Sequence, residues 1–261
     1  MISIKSAREI ELMRKAGKIA AGALKTAGEM IVPGISTKKL DTHIRRYIES
    51  RGAVPSFFGY KGSSGMGEPF PANSCISIND EVIHGVPSES KILEDGDVVK
   101  IDVGARFNGY HGDCANTFYC GNRAGISAEI KKLIETAEGC FNAGIEYARA
   151  GCRIGDVSGE IQRYVESAGF SIVREYVGHC IGKNLHENPD IPNYLEEGKG
   201  KGQRLSAGMV IAVEPMVNAG GYEVKTGEDQ KTILTADGSL SAHYEHTVLI
   251  LKNGCELLTL A

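Results

Sequence analysis

The sequence of 261 residues contains no tryptophan, no Cys-x-x-Cys pair and no surplus of basic residues. Each absence removes a class of protein. Seven cysteines (Cys75, Cys114, Cys120, Cys140, Cys152, Cys180 and Cys255) form an odd set without zinc-ribbon spacing. Neither a disulfide framework nor a thiolate zinc site is therefore expected, and reduced thiols in a cytoplasmic protein are. The longest run free of Asp, Glu, Lys and Arg is the 11 residues 69–79, whereas a membrane-spanning helix needs about 20. Lys5 interrupts the N-terminal segment before a secretory signal could form, so neither export nor a membrane partner is expected. Lys and Arg number 29 against 33 Asp and Glu, a net charge of -4 that gives no electrostatic basis for binding nucleic acid.

What is present is an ordinary globular composition, 42% hydrophobic and 24% charged. The chain is long enough for one large domain or two modest ones. It also contains a repeat. Residues 44–52, Ile-Arg-Arg-Tyr-Ile-Glu-Ser-Arg-Gly, recur 117 positions later as residues 161–169, Ile-Gln-Arg-Tyr-Val-Glu-Ser-Ala-Gly, with six of nine identical and a seventh exchanging Ile for Val. Gly34 and Gly151 precede the two copies at the same offset. Downstream, residues 96–102 (Gly-Asp-Val-Val-Lys-Ile-Asp) are answered by 208–214 (Gly-Met-Val-Ile-Ala-Val-Glu), each a β-branched strand ending in a carboxylate six residues after a glycine. The pattern predicts one domain over 1–261, built of half-repeats at about 1–122 and 123–261. Its fold class is α+β, with the strands of both halves in a shared, mostly antiparallel sheet covered by helices.

Asn108-Gly109 between two apolar runs is a strong hairpin signal. A two-residue loop there pairs Phe107 with Tyr110 and Gly104 with Asp113, which puts Asp102 and Asp113 on one sheet face as diagonal neighbours. Two acids on an apolar face repel unless a cation lies between them. In the second half, Glu214 ends an apolar strand and Glu245 enters another, while His179 sits between glycines in Gly178-His179-Cys180-Ile181-Gly182. Two Asp, two Glu and one His make a hard-ligand set suited to a pair of divalent ions such as Mn, Co, Fe or Zn.

With His186-Glu187-x-Pro189-x-Ile191-Pro192-Asn193, Glu214-Pro215-Met216 and Tyr244-Glu245-His246-Thr247, this set closely resembles the type I methionine aminopeptidases over nearly the whole chain. The resemblance implies the pita-bread fold of two pseudo-symmetric halves. It implies Asp102, Asp113, His179, Glu214 and Glu245 as ligands of two divalent ions, and Glu214, His84 and His186 as catalytic groups. Glu214 would move protons as general acid–base, His186 would donate to the developing oxyanion, and His84 would contact the scissile amide nitrogen or hold the leaving group. Cys75, Phe70 and Tyr60 would line the methionine slot. Backbone carbonyls at Asn79, Glu81 and Ser241 would hold one Na or K ion.

The activity so implied is removal of the initiator methionine from nascent polypeptide N-termini near the ribosome when the second residue is small, by a cytoplasmic monomer. The chain departs from the family where Cys180 replaces a glycine, where Leu185 replaces an aromatic, and where Gln230 or Lys231 replaces a pocket-rim tryptophan. Its Gly-rich stretch 59–69 lacks the Gly-Lys-Ser/Thr ending of a phosphate loop and reads as a mobile pocket rim. His43, His111, His243 and His246 read as structural. The alternatives are a proline-specific peptidase of the prolidase kind on the same fold, and a non-catalytic pita-bread binding module.

Overall fold

The computed structural model describes residues 3–62, 64–195, 198 and 200–261. Helices α1 (Ala7–Gly28) and α2 (Thr37–Ser50) come first. Strands β1 (Val54–Pro55), β2 (Cys75–Ile78), β3 (Glu81–Ile83), β4 (Val98–Phe107) and β5 (Tyr110–Tyr119) follow. The order then repeats with α3 (Ala128–Ile145), α4 (Ile154–Ser167), β6 (Ser171–Ile172), β7 (Gly178–Cys180), β8 (Glu187–Ile191) and β9 (Val210–Val213). The chain ends with β10 (Met216–Asn218), β11 (Val224–Thr226), β12 (Ile233–Thr235), β13 (Ser241–His243), β14 (Glu245–Leu251) and β15 (Gly254–Leu257). Among the described residues no helix is long and apolar enough to cross a membrane.

Local sequence explains the elements. A capping box starts α1, where the Ser6 side chain accepts from the Glu9 amide and the Glu9 carboxylate accepts from the Ser6 amide. Its small buried face (Ala16, Gly17, Ala20, Ala21, Ala23, Ala27) lets it lie close on the sheet, because a Cβ on Gly112 of β5 would run into the backbone of Ala16 and Gly17. The hairpin turns at Asn108 and Gly109, both at positive φ (47° and 86°), the type I′ geometry that matches strand twist. Phe107 pairs with Tyr110 and Gly104 with Asp113, the register read from the sequence.

Nine strands form the main sheet, in the order β1-β4-β5-β14-β9-β7-β8, with β2 also on β4 and β15 on β14. All the strand pairs in it are antiparallel. The centre of the sheet joins β5 of the first half to β14 of the second. Two small sheets, β13-β10-β6 and β11-β12-β3, close one side. One apolar core lies under α1 and α2 and draws its buried members from residues 20–120, and another lies under α3 and α4 and draws them from 133–250. A third cluster, including Met13, Phe57, Cys75, Leu185 and Leu249, bridges them.

Candidate active site and metal centre

Strand register assembles the acids. Asp102 lies opposite Cys75 on one side and Ala115 on the other, and Ala115 lies opposite Glu245, so these four share one row of one face. Because side chains alternate along strands, Asp113 and Thr247 occupy the next row of that face. The row is tied by the Asp113 amide donating to Thr247 Oγ1 (2.9 Å) and by that hydroxyl donating to the Asp113 carbonyl (2.8 Å). Ala212 pairs with both Thr247 and His179, which carries the row to β7. Glu214 follows directly on β9, and its carbonyl accepts from Asn193 Nδ2 at 3.1 Å. Residues from positions 102 to 245 thus converge on one spot.

The electrostatics of that spot suit a cation. Asp113, His179 and Glu245 offer ligand atoms that all lie within 4.8 Å of one another. Asp102 Oδ1, Asp113 Oδ1 and Glu245 Oε1 are buried without a hydrogen-bond partner. Burial and the neighbouring Asp113 charge hold Asp102, Glu214 and Glu245 well above the ordinary carboxylate range, and burial brings Asp113 to about 7. Removing an unpaired carboxylate from water costs several kcal/mol, and four are gathered here. His179 Nδ1 lies 3.0 Å from the Cys180 carbonyl oxygen, which can only accept, so Nδ1 carries the proton and Nε2 keeps its lone pair. That Nε2 faces Glu214 Oε1 at 3.5 Å. Burial lowers His179 to about 3, so the imidazole is neutral and free to ligate. This hard oxygen and nitrogen set, with orphaned oxygens, fits divalent metal.

The cluster forms the floor of a cavity of about 560 Å³. Its walls include Cys75, Phe70 and Tyr60 from the predicted slot, together with His84, His186, Gln230, Lys231 and Leu185. Phe57 and Tyr176 also line it and were not singled out from sequence, because they sit in irregular segments with no periodicity. Tyr176 meets the His84 ring edge-on at 5.7 Å, and the His179 and His186 rings lie 4.0 Å apart. Tyr60 Oη is 2.6 Å from His186 Nδ1, and burial raises the phenol to about 12, so it stays protonated. Burial also lowers His84 and His186 to about 4, which keeps both neutral near pH 7.

The remaining expected residues are also placed. Ser241 N–H donates to the Asn79 carbonyl at 3.1 Å, and Glu81 accepts from the Ile78 amide at 2.8 Å. The Asn79 carbonyl also accepts from the ammonium of Lys100, at 2.8 Å. Tyr60, Gly62 and Glu68 bring the Gly-rich stretch to the cavity, while its Ser63 lies outside the described residues. Cys180 replaces the expected glycine without strain, since it is not among the positive-φ residues. His111 shares the acid face but bonds Ser56 Oγ at 2.9 Å and stays outside the cavity. His43 bonds Thr26, and His246 bonds Thr259 and Tyr244.

A curled antiparallel sheet covered by two helix pairs, holding buried carboxylates and an imidazole beside an apolar slot, defines a metal-dependent hydrolase. Residues 11–252 match the model of metallopeptidase family M24. The chain is 52% identical to a methionine aminopeptidase of Clostridium perfringens over 260 residues, covering 100% of this chain and 99% of that one. It is 48% identical to methionine aminopeptidase 1 of Bacillus subtilis, covering 99% of each. The crystal structure of methionine aminopeptidase from Thermotoga maritima superposes with a TM-score of 0.93 at 41% identity, over 100% of both chains. A prolidase from Pyrococcus furiosus matches at a TM-score of 0.77 and 25% identity, but the match covers only 65% of that longer chain. The protein belongs to metallopeptidase family M24, with the pita-bread fold.

Proposed function

We propose that this protein is a methionine aminopeptidase, which removes the initiator methionine from nascent polypeptides when the second residue is small. The observation that carries the reading is the position of the carboxylate cluster in a half-open, mostly apolar cavity. Such a slot admits a chain end and one unbranched side chain. Cys75 suits methionine, because burial holds its thiol well above its ordinary value, leaving a neutral, polarisable contact for a thioether. Phe70, Tyr60, Phe57 and Leu185 supply the rest of the apolar wall.

Asp102, Asp113, His179, Glu214 and Glu245 would hold two divalent ions of the Co, Mn, Fe or Zn kind. The chemistry such ions supply when bound is acidification of water and polarisation of the scissile carbonyl. Glu214 accepts the proton of the attacking water and returns it to the leaving amine. The Tyr60 hydroxyl donates to His186 Nδ1, so Nε2 carries the ring proton and serves as donor to the developing oxyanion. His84 holds the leaving amide nitrogen. The catalytic unit is the whole of residues 1–261 as one domain of two half-repeats, working as a cytoplasmic monomer on chain ends near the ribosome.

Hydrolysis of Met-Ala-Ser, Met-Leu-Ser and Ala-Pro, with and without chelator, tests the reading. Cleavage of Met-Ala-Ser alone, abolished by chelator and restored by divalent metal, is expected. Turnover of Ala-Pro alone would replace it with a prolidase, and binding without turnover of any peptide would replace it with a non-catalytic module.

A further inference from the structure

Lys100 is among the largest fully buried side chains of the described residues, 2% exposed. It lies on β4 between Ser77 and Thr117, one row from Asp102 on the same sheet face. Lysine is among the residues least often buried whole, and a strand position there would accept an apolar residue. Its side-chain nitrogen donates instead to two backbone carbonyls, Asn79 at 2.8 Å and Val98 at 3.4 Å, which offset the burial that lowers the ammonium to about 7.

The Asn79 carbonyl belongs to an over-determined turn. Asn79 has φ 55°, its Oδ1 accepts from the Val98 amide, and its Nδ2 donates to Asp97. Two residues on, Glu81 accepts from the Ile78 amide and pairs with Lys91. The segment ends at His84, itself at φ 59°, and Gly85 is pinned by its amide donating to Ser77 Oγ at 3.0 Å. A side chain such as histidine rarely adopts positive φ, and persists there only when its surroundings fix it. Ser77 and Lys100, neighbours in one cross-strand row, thus hold the two ends of this segment.

We propose that Lys100 is a positioning residue whose ammonium is a tethered monovalent cation: it gathers the Asn79 and Val98 carbonyls, fixes the direction of His84, and makes the site independent of dissolved Na or K. The inference rests on the reading of His84 given above. Lys100 touches no substrate and acts through the turn.

The first test uses the wild-type enzyme, assayed on Met-Ala-Ser in alkali-free tetramethylammonium buffer and again with K or Na added. Equal rates are expected; severalfold stimulation by either ion would overturn the proposal. In Lys100→Ala, kcat falls about 10–100-fold, the usual range for a lost orienting contact, while KM changes little. Propylammonium, which carries N–H donors into the space left by the side chain, restores much of the loss, and tetramethylammonium, which has none, does not. The His84 ring signals in nitrogen-15 histidine NMR shift in the variant and return with propylammonium, a readout that needs no turnover. A wild-type protein inert toward Met peptides would remove the functional reading, and the NMR arm would still decide the role of Lys100. Unchanged kcat and unchanged His84 signals, or a loss that propylammonium leaves untouched, would overturn it. Should Lys100→Ala not fold, the wild-type alkali comparison decides alone.

Discussion

The two halves of the chain repeat several backbone bonds around their helices and differ in what joins their acids. Gly34 N–H donates to Leu93 O and Leu93 N–H to Ile35 O, and the same pair recurs as Gly151 to Leu205 and Leu205 to Cys152. Thr37 N–H to Lys91 O recurs as Ile154 N–H to Gln203 O. Gly22 packs against the Tyr47 ring just as Gly139 packs against Tyr164. Beyond the helices the symmetry fails. Asp102 and Asp113 are joined by a two-residue turn, whereas the path from Glu214 to Glu245 carries β10 to β13. That longer connection brings Thr226, Gln230, Lys231 and Ile233 to the cavity wall. The repeat therefore supplies a frame and matched carboxylates. The added strands make the site one-sided, as a reaction on one end of a peptide requires.

The largest effect expected separates the matched acids Asp102 and Glu214. Glu214→Gln lowers kcat about 10²–10⁴-fold, the range for a lost general acid–base group, and saturating metal does not restore it. Asp102→Asn, a ligand change alone, recovers activity as metal is raised. Titrating both variants with metal under steady-state turnover checks this, and an Asp102→Asn enzyme that stays inactive at saturation would break the distinction.

Metal uptake should follow pH with a definite sign. Asp113 is lifted by burial to about 7, and its three neighbours are raised as well. Below that value the folded, chelated protein holds protons that a cation must displace. Apparent affinity then falls about tenfold per pH unit for each proton released, and levels off above the carboxyl range. His179, lowered to about 3, stays neutral throughout and adds no opposing step. Calorimetric titration in buffers of different ionisation heat measures the proton count, and uptake without proton release would contradict the raised carboxyls.

A smaller effect comes from Tyr60→Phe, which deletes the hydrogen bond to His186 at 2.6 Å. One such bond is worth about 1 kcal/mol, so kcat drops several-fold with KM nearly unchanged. A rise in KM alone would make Tyr60 a slot residue only. The smallest effects concern packing, read by urea denaturation. Gly17→Ala forces a methyl against the Leu258 backbone and costs about 1–3 kcal/mol. Gly139→Ala meets only the Tyr164 ring, which is 37% exposed and can swing aside, so it costs less than about 1 kcal/mol.

Much of this was legible in the sequence because it follows short-range rules. Asn108-Gly109 sets a two-residue turn, the turn sets the register, and the register puts Asp102 and Asp113 on one face. The shifted nonapeptide exposed the repeat, and the acids at the ends of apolar strands marked the ligand set. Contacts that depend on tertiary approach were not legible. The bond from Tyr60 to His186 spans 126 positions, and no pattern near either residue encodes it. Phe57 and Tyr176 sit in segments without periodicity. Alternation places Lys100 on the face of Asp102, yet a strand lysine ordinarily reaches solvent, and only the Asn79 and Val98 carbonyls explain its burial. Cys180 looked awkward beside His179 because sequence gives no φ; the observed backbone needs no glycine there.

Carboxylates from both halves would build one site for two ions. Chelated protein reloaded with Mn or Co and freed of excess metal, then analysed by inductively coupled plasma mass spectrometry, tests this most directly. Two ions per wild-type chain are expected, and fewer in both Asp102→Ala, from the first half, and Glu245→Ala, from the second. A wild-type stoichiometry of zero, or a full complement retained by either variant, would contradict it.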